Sequence, residues 1–203
     1  MHVTRRLKSS IRWFVAVLER RVYRRILFEP LRIERIALLY TDAESSGQIA
    51  AVLISESVTR CWVAKVPARD VKRLVYRRTQ IVAFELLAAV YGLIVFSPQV
   101  DLNTRLLHYI DAEAALNIVV KGASKQIDLN TIVGALWPQL SERQTTYWAY
   151  HVASHANLAD GPSRGVWNEM TALSAEYIQA DVPDVGQVLD LFLDPVVSSS
   201  VAW

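Results

Sequence analysis

The chain has 203 residues, 52% of them apolar and 21% charged, which gives it material for one substantial core plus an extension and excludes a disordered polymer. Its single cysteine, Cys61, excludes an intrachain disulfide, and the lack of a Cys/His cluster excludes a structural zinc site; an intracellular, reducing compartment is the expectation. The net charge of +2 hides an asymmetry, because residues 1–35 carry +7 and the rest −5, with no Lys or Arg after Arg164. A basic head suits a polyanion or is a solvated face.

In residues 4–28, Ile11, Phe14, Val15, Leu18, Val22 and Ile26 recur every three or four positions with arginines between them, which predicts an amphipathic helix ended by Pro30. The N-terminus lacks the long apolar stretch and small-residue cleavage site of a signal peptide. Ile36–Tyr40 and Ile49–Ile54 then read as two adjacent strands joined by a turn at Ser45-Ser46-Gly47, and Val58–Val66 as a third, making an antiparallel meander. Asp42 stands at the mouth of the first turn. It is either a turn residue bonding nearby N–H groups or a buried carboxylate in need of a partner.

From Asp70 to Phe96 the period changes to a helical one, and Ile81–Phe96 is apolar but for Glu85. The stretch is short for ~30 Å of hydrocarbon and a Glu is costly there, so a buried helix is expected rather than a membrane span. Glu85 faces either the one solvent edge of that helix or the interior, where it requires cations. Arg105–Ile110 reads as a fourth strand ending at Asp111, repeating the strand-then-Asp pattern of Asp42. A helix over 112–120 is stopped at Gly122, a second starts at Asp128 and runs through Leu136, and Tyr147–Val152 reads as a fifth strand leading to Asp160. The tail after residue 165 is expected to be partly helical and loosely attached.

If the first and fourth strands lie side by side and parallel, Asp42 and Asp111 emerge together at their carboxyl ends, where open sheets place ligands. Carboxylates so close raise one another's pKa, and divalent cations relieve the conflict. Hard oxygen donors select Mg²⁺ or Mn²⁺, and two such ions assist phosphodiester hydrolysis.

The order β-β-β-α-β-α-α-β-α, with Y-T-D-A at 40–43, T-Q-I-V-A-F-E-L-L-A-A at 79–89, Y-I-D at 109–111 and N-L-A-D-G-P-S-R at 157–164, resembles the ribonuclease H domain of retroelement reverse transcriptases over roughly residues 36–165. The resemblance implies an α/β, ribonuclease-H-like fold with a five-stranded mixed sheet, three strands antiparallel and then two parallel, flanked by helices. It divides the chain into a basic N-terminal helix resembling a connection segment (1–35), the ribonuclease-H-like domain (36–165) and an acidic C-terminal extension (166–203). The implied activity is endonucleolytic hydrolysis of the RNA strand of RNA/DNA hybrids with two Mg²⁺ or Mn²⁺ ions, bound by Asp42, Glu85, Asp111 and Asp160. His155 is the nearest match to the mobile histidine of the family. A polymerase part of a reverse transcriptase is an implied partner, and a membrane is not.

Arg77, Arg78, Lys121 and Lys125 are candidate contacts to the nucleic-acid backbone. Glu44 and Glu113 depart from the family pattern by adding charge beside Asp42 and Asp111. The alternative reading keeps the fold without catalysis, as a structural or nucleic-acid-binding module; a resolvase or transposase acting on DNA is a third.

Overall fold

Antiparallel pairing of three consecutive strands builds the start of the sheet: β1 (Ile36–Ala43), β2 (Gln48–Ser55) and β3 (Val58–Lys65). The computed structural model of the chain describes residues 35–184 apart from 57, 102, 103, 143 and 144, together with a few positions outside that span. The expected helix over residues 4–28 falls outside the described residues, save that Lys8, Ile11, Phe14 and Val15 are helical, and so does most of the acidic tail beyond 184.

After a one-turn helix α1 (Ala68–Val71) and a connecting loop, the apolar run forms α2 (Ile81–Phe96), buried along nearly its whole length. The single helical stretch expected from Asp70 onward is therefore broken. Tyr91 donates its hydroxyl to Asp70 at 2.7 Å, and Arg77 grips Asp128 with two nitrogens at 2.6 and 2.7 Å, so polar anchors hold the segment between the two helices. By length and composition Ile81–Gln99 is apolar enough to cross a membrane, yet 78% of that window is buried inside the fold.

β4 (Arg105–Ile110) joins β1 in parallel and β5 (Thr146–His151) joins β4 in parallel. Between them lie α3 (Glu113–Lys121), α4 (Ile127–Gly134) and α5 (Leu136–Glu142), so the helix expected from Asp128 through Leu136 ends at Gly134 and a further helix, not expected, starts at Leu136 and includes Pro138. Gly122 closes α3 in the left-handed conformation at φ 62°, as its sequence position predicts. With a short strand β6 (Glu176–Tyr177) at one edge, the order across the sheet is β5-β4-β1-β2-β3-β6, the expected antiparallel meander extended by two parallel strands, with helices against it.

Among the described residues the sheet has six strands rather than five. β6 (Glu176–Tyr177) adds to β3 in parallel, following α6 (Asp160–Ser163) and α7 (Asn168–Ala172). Two residues carry too little periodicity to read as a strand. Their attachment is specific nonetheless: Arg60 pairs with Glu176 at 3.1 Å, Trp62 Nε1 donates to the Ala180 carbonyl, and Arg69 and Arg73 pair with Asp184.

α2 lies against β1 and β2 at a distance set by Gly92. A Cβ there would meet the Ala51 Cβ at 2.8 Å and the Thr41 Cγ2 at 3.0 Å, so only glycine permits this approach. That approach brings Glu85, two turns earlier, up to the end of β1.

Candidate metal centre

β1 and β4 run parallel with Thr41 paired to Ile110, and each strand delivers an aspartate at its next residue. Asp42 and Asp111 thus emerge as neighbours because the register pairs Thr41 with Ile110 and an aspartate follows each of them in the chain. Glu85 enters from α2. Ligating oxygens of Asp42, Glu85 and Asp111 all lie within 4.8 Å of one another, at the base of an open cleft of about 600 Å³.

Glu85 is 3% exposed, which settles the choice between solvent edge and interior. Its Oε1 accepts the Ala43 N–H at 3.3 Å, while Oε2 is buried without a hydrogen-bond partner. Burial pushes its carboxyl up to about 9; the charges of Asp42 and Asp111 add to the rise and the Ala43 N–H opposes it. Asp42, likewise 3% exposed, is raised to about 6 by burial, against the pull of the Ser163 hydroxyl that donates to its Oδ2, with Asp111 and Asp160 pushing upward. Three converging carboxylates, one with an orphaned buried oxygen, form a donor set that fits a hard divalent cation such as Mg²⁺ or Mn²⁺.

Asp160 stands apart from this trio. It opens α6, pairs with Arg164 at 2.6 Å, and is close enough for its charge to be felt at Asp42 and Glu85. His155 sits exposed on a single 3-10 turn, Ser154–Ala156, and is not among the described residues lining the cleft. Glu44 does line the cleft, but its carboxylate is turned onto its own loop, accepting from Ser46 N and Ser45 Oγ at 3.0 Å each; these bonds and Arg164 hold it below the usual range. Glu113 is exposed in the first turn of α3.

Of the expected backbone contacts, Arg77 is committed to the fold through Asp128, Gln126, Gln80 and the Val75 carbonyl. Arg78, Lys121 and Lys125 remain exposed. Arg164 lines the cleft beside the acids and is the one cation to do so among the described residues.

Two positioning residues escaped the sequence reading although both lie inside the quoted N-L-A-D-G-P-S-R stretch. Asn157, buried, donates to the Thr41 carbonyl at 3.0 Å and accepts from Ala159 N, pinning the Asp160 loop to β1. Ser163, fully buried, bridges Asp42 and the Asp160 carbonyl. Beneath them Thr41 Oγ1, His108 and the Tyr147 hydroxyl form a chain of hydrogen bonds at 2.8 and 2.7 Å through β1, β4 and β5. His151 Nε2 donates to the Asp111 carbonyl at 3.1 Å.

No family model matches the chain, and no curated protein matches it. Among solved structures it is similar to the N-terminal RNase H domain of a Mycobacterium tuberculosis protein, solved as a fusion with maltose-binding protein. Identity is 16%, coverage 70% of this chain and 97% of that one, and the TM-score 0.44.

Proposed function

We propose that the chain is a metal-dependent ribonuclease H that cuts the RNA strand of RNA/DNA hybrids. The observation carrying this reading is the convergence of Asp42, Glu85 and Asp111 at the carboxyl ends of two parallel central strands, with Glu85 Oε2 buried and unpartnered. Asp42, Glu85 and Asp111 would hold Mg²⁺ or Mn²⁺, and Asp160 would complete a second site once released from Arg164. When bound, the two ions supply Lewis acidity toward the attacking water and the departing oxygen.

The chain's own residues do the rest. Ser163 fixes the rotamer of Asp42, Asn157 keeps the Asp160 loop on β1, and the Ala43 N–H orients Glu85. Arg164 offers a planar guanidinium at the rim, suited to a phosphodiester oxygen. His155, on the exposed turn before Asp160, is assigned proton or product handling. Arg78, Lys121 and Lys125 would meet phosphates, and recognition would rest on backbone and 2′-hydroxyls rather than base edges. We assign the activity to the RNase H part of a reverse transcriptase acting inside the cell, a context drawn from the four sequence motifs.

The test is cleavage of a labelled RNA/DNA hybrid with Mg²⁺ or Mn²⁺, beside single-stranded RNA, duplex DNA and the Asp42→Asn and Asp111→Asn variants. Cutting of the hybrid's RNA strand alone, lost in both variants, establishes the reading. A folded protein that binds Mn²⁺ without cutting is the non-catalytic module, and one that cuts duplex DNA belongs to the recombinase branch.

A further inference from the structure

Among the described residues, one face of the sheet is only half covered. On the side opposite α2, Ala159 and Met170 pack over Ala50, Val52 and Cys61, closing the β2–β3 half. The β1–β4–β5 half of the same face carries two cross-strand rows: Tyr40, Tyr109 and Tyr150 in register, and Leu38, Leu107 and Trp148 in the row before them. The Tyr40 and Tyr109 rings stack at 4.8 Å and Tyr150 follows at 6.0 Å. Trp148 is 52% exposed and Tyr150 46%. Contiguous aromatic surface of this kind marks a docking site.

We propose that residues 4–28 of this chain dock their apolar stripe on that face. Two observations select this occupant over a foreign one. The described chain enters at Arg35, directly before Ile36 at the foot of β1, so the segment is tethered at the edge of the uncovered half; the seven residues 29–35 reach ~23 Å, enough to turn a helix back onto it. The two parts of the chain also carry opposite net charge, +7 in residues 1–35 against −5 in the remainder.

The segment has the matching need. Ile11 and Val15, on its expected stripe, are helical and stand 50% and 46% exposed. A 25-residue helix spans ~37 Å, longer than the ~26 Å of an eight-residue strand, so its apolar stripe overlies the aromatic rows while its arginines overhang.

Trypsin digestion of the full chain tests the docking, because Arg20, Arg21, Arg24 and Arg25 lie on the segment. Cleavage there follows the population of the undocked form. Trp148→Ser with Tyr150→Ser, and separately Val15→Asp with Leu18→Asp, should each speed cleavage at these arginines about tenfold, and the combined variant should go no faster than either. All forms should elute as monomers with unchanged far-ultraviolet spectra. Cleavage rates that either pair leaves unchanged, effects of the two pairs that simply multiply, or a dimer dissociated by the Trp148/Tyr150 pair would each overturn the proposal, the last by giving the face to a second copy.

Discussion

Glu85 reaches from α2 to the Ala43 N–H at the end of β1, and in doing so leaves its second oxygen buried with no partner. Without a cation this carboxyl is raised from its ordinary 4.5 to about 9, and Asp42 from 3.8 to about 6. An acid whose pKa is higher folded than unfolded stabilises the fold fully below its unfolded value and loses that contribution as pH rises through the folded one. Stability of the ion-free protein should therefore fall between about pH 4 and 6 through Asp42, and onward to about pH 9 through Glu85. Mn²⁺ neutralises the same oxygens, so the rise in Tm that it produces should be several degrees larger at pH 8 than at pH 5. Equal increments at both pH values, measured by calorimetry, would argue against an ion at this site.

Glu85→Gln separates stability from binding. The amide keeps the shape and the bond from Ala43 while removing the buried acid, so the ion-free variant should be more stable than the parent at pH 8 by about 1–3 kcal/mol. It should also lose most of its Mn²⁺ affinity, read by titration calorimetry, and cut the hybrid more slowly by a factor on the order of 10³. A variant less stable than its parent would mean that Glu85 is satisfied by something other than a cation.

The sites of Asp42 and Asp111 were legible because the sequence repeats one local pattern, an apolar run ending in Asp, and parallel pairing turns that repetition into proximity. Glu85 was legible as the lone charge in an apolar helix. Less visible were contacts that depend on long-range packing. Nothing local marks Arg77 as a partner of Asp128, 51 positions away, rather than of a phosphate, and nothing marks Ser163 as a donor to Asp42 across 121 positions. The break between α1 and α2 and the two-residue β6 were hidden for the same reason, since tertiary anchors such as Tyr91 to Asp70 override a continuous helical pattern.

Ser163→Ala should weaken the metal centre without unfolding it. The hydroxyl donates to Asp42 and pulls its pKa down, so its loss raises that pKa further. Mn²⁺ affinity at pH 7 should drop about 10–100-fold, the usual effect of removing a group that orients a ligand. The pH of half-maximal binding should move upward, because a more basic carboxyl must lose its proton later. Unaltered affinity and pH midpoint would leave Ser163 with a packing role only.

His108 sits fully buried between the Thr41 and Tyr147 hydroxyls, and burial lowers its pKa from 6.5 to about 3. A base held neutral in the fold contributes stability above its unfolded pKa and loses it as pH falls toward the folded one, here from about 6.5 down to 3. Asp42 and Glu85 act in the opposite sense over part of this range, so the comparison must be between parent and variant. His108→Leu should cost about 1–3 kcal/mol at pH 7, because the Thr41 and Tyr147 hydroxyls lose their shared partner. It should also remove the histidine's share of the acid destabilisation, so urea midpoints of variant and parent should converge between pH 6.5 and 4. Parallel curves across that interval would show that the imidazole does not titrate with unfolding. The hydroxyl pair would then be the whole of its contribution to holding β1, β4 and β5, and with them Asp42 and Asp111, in register.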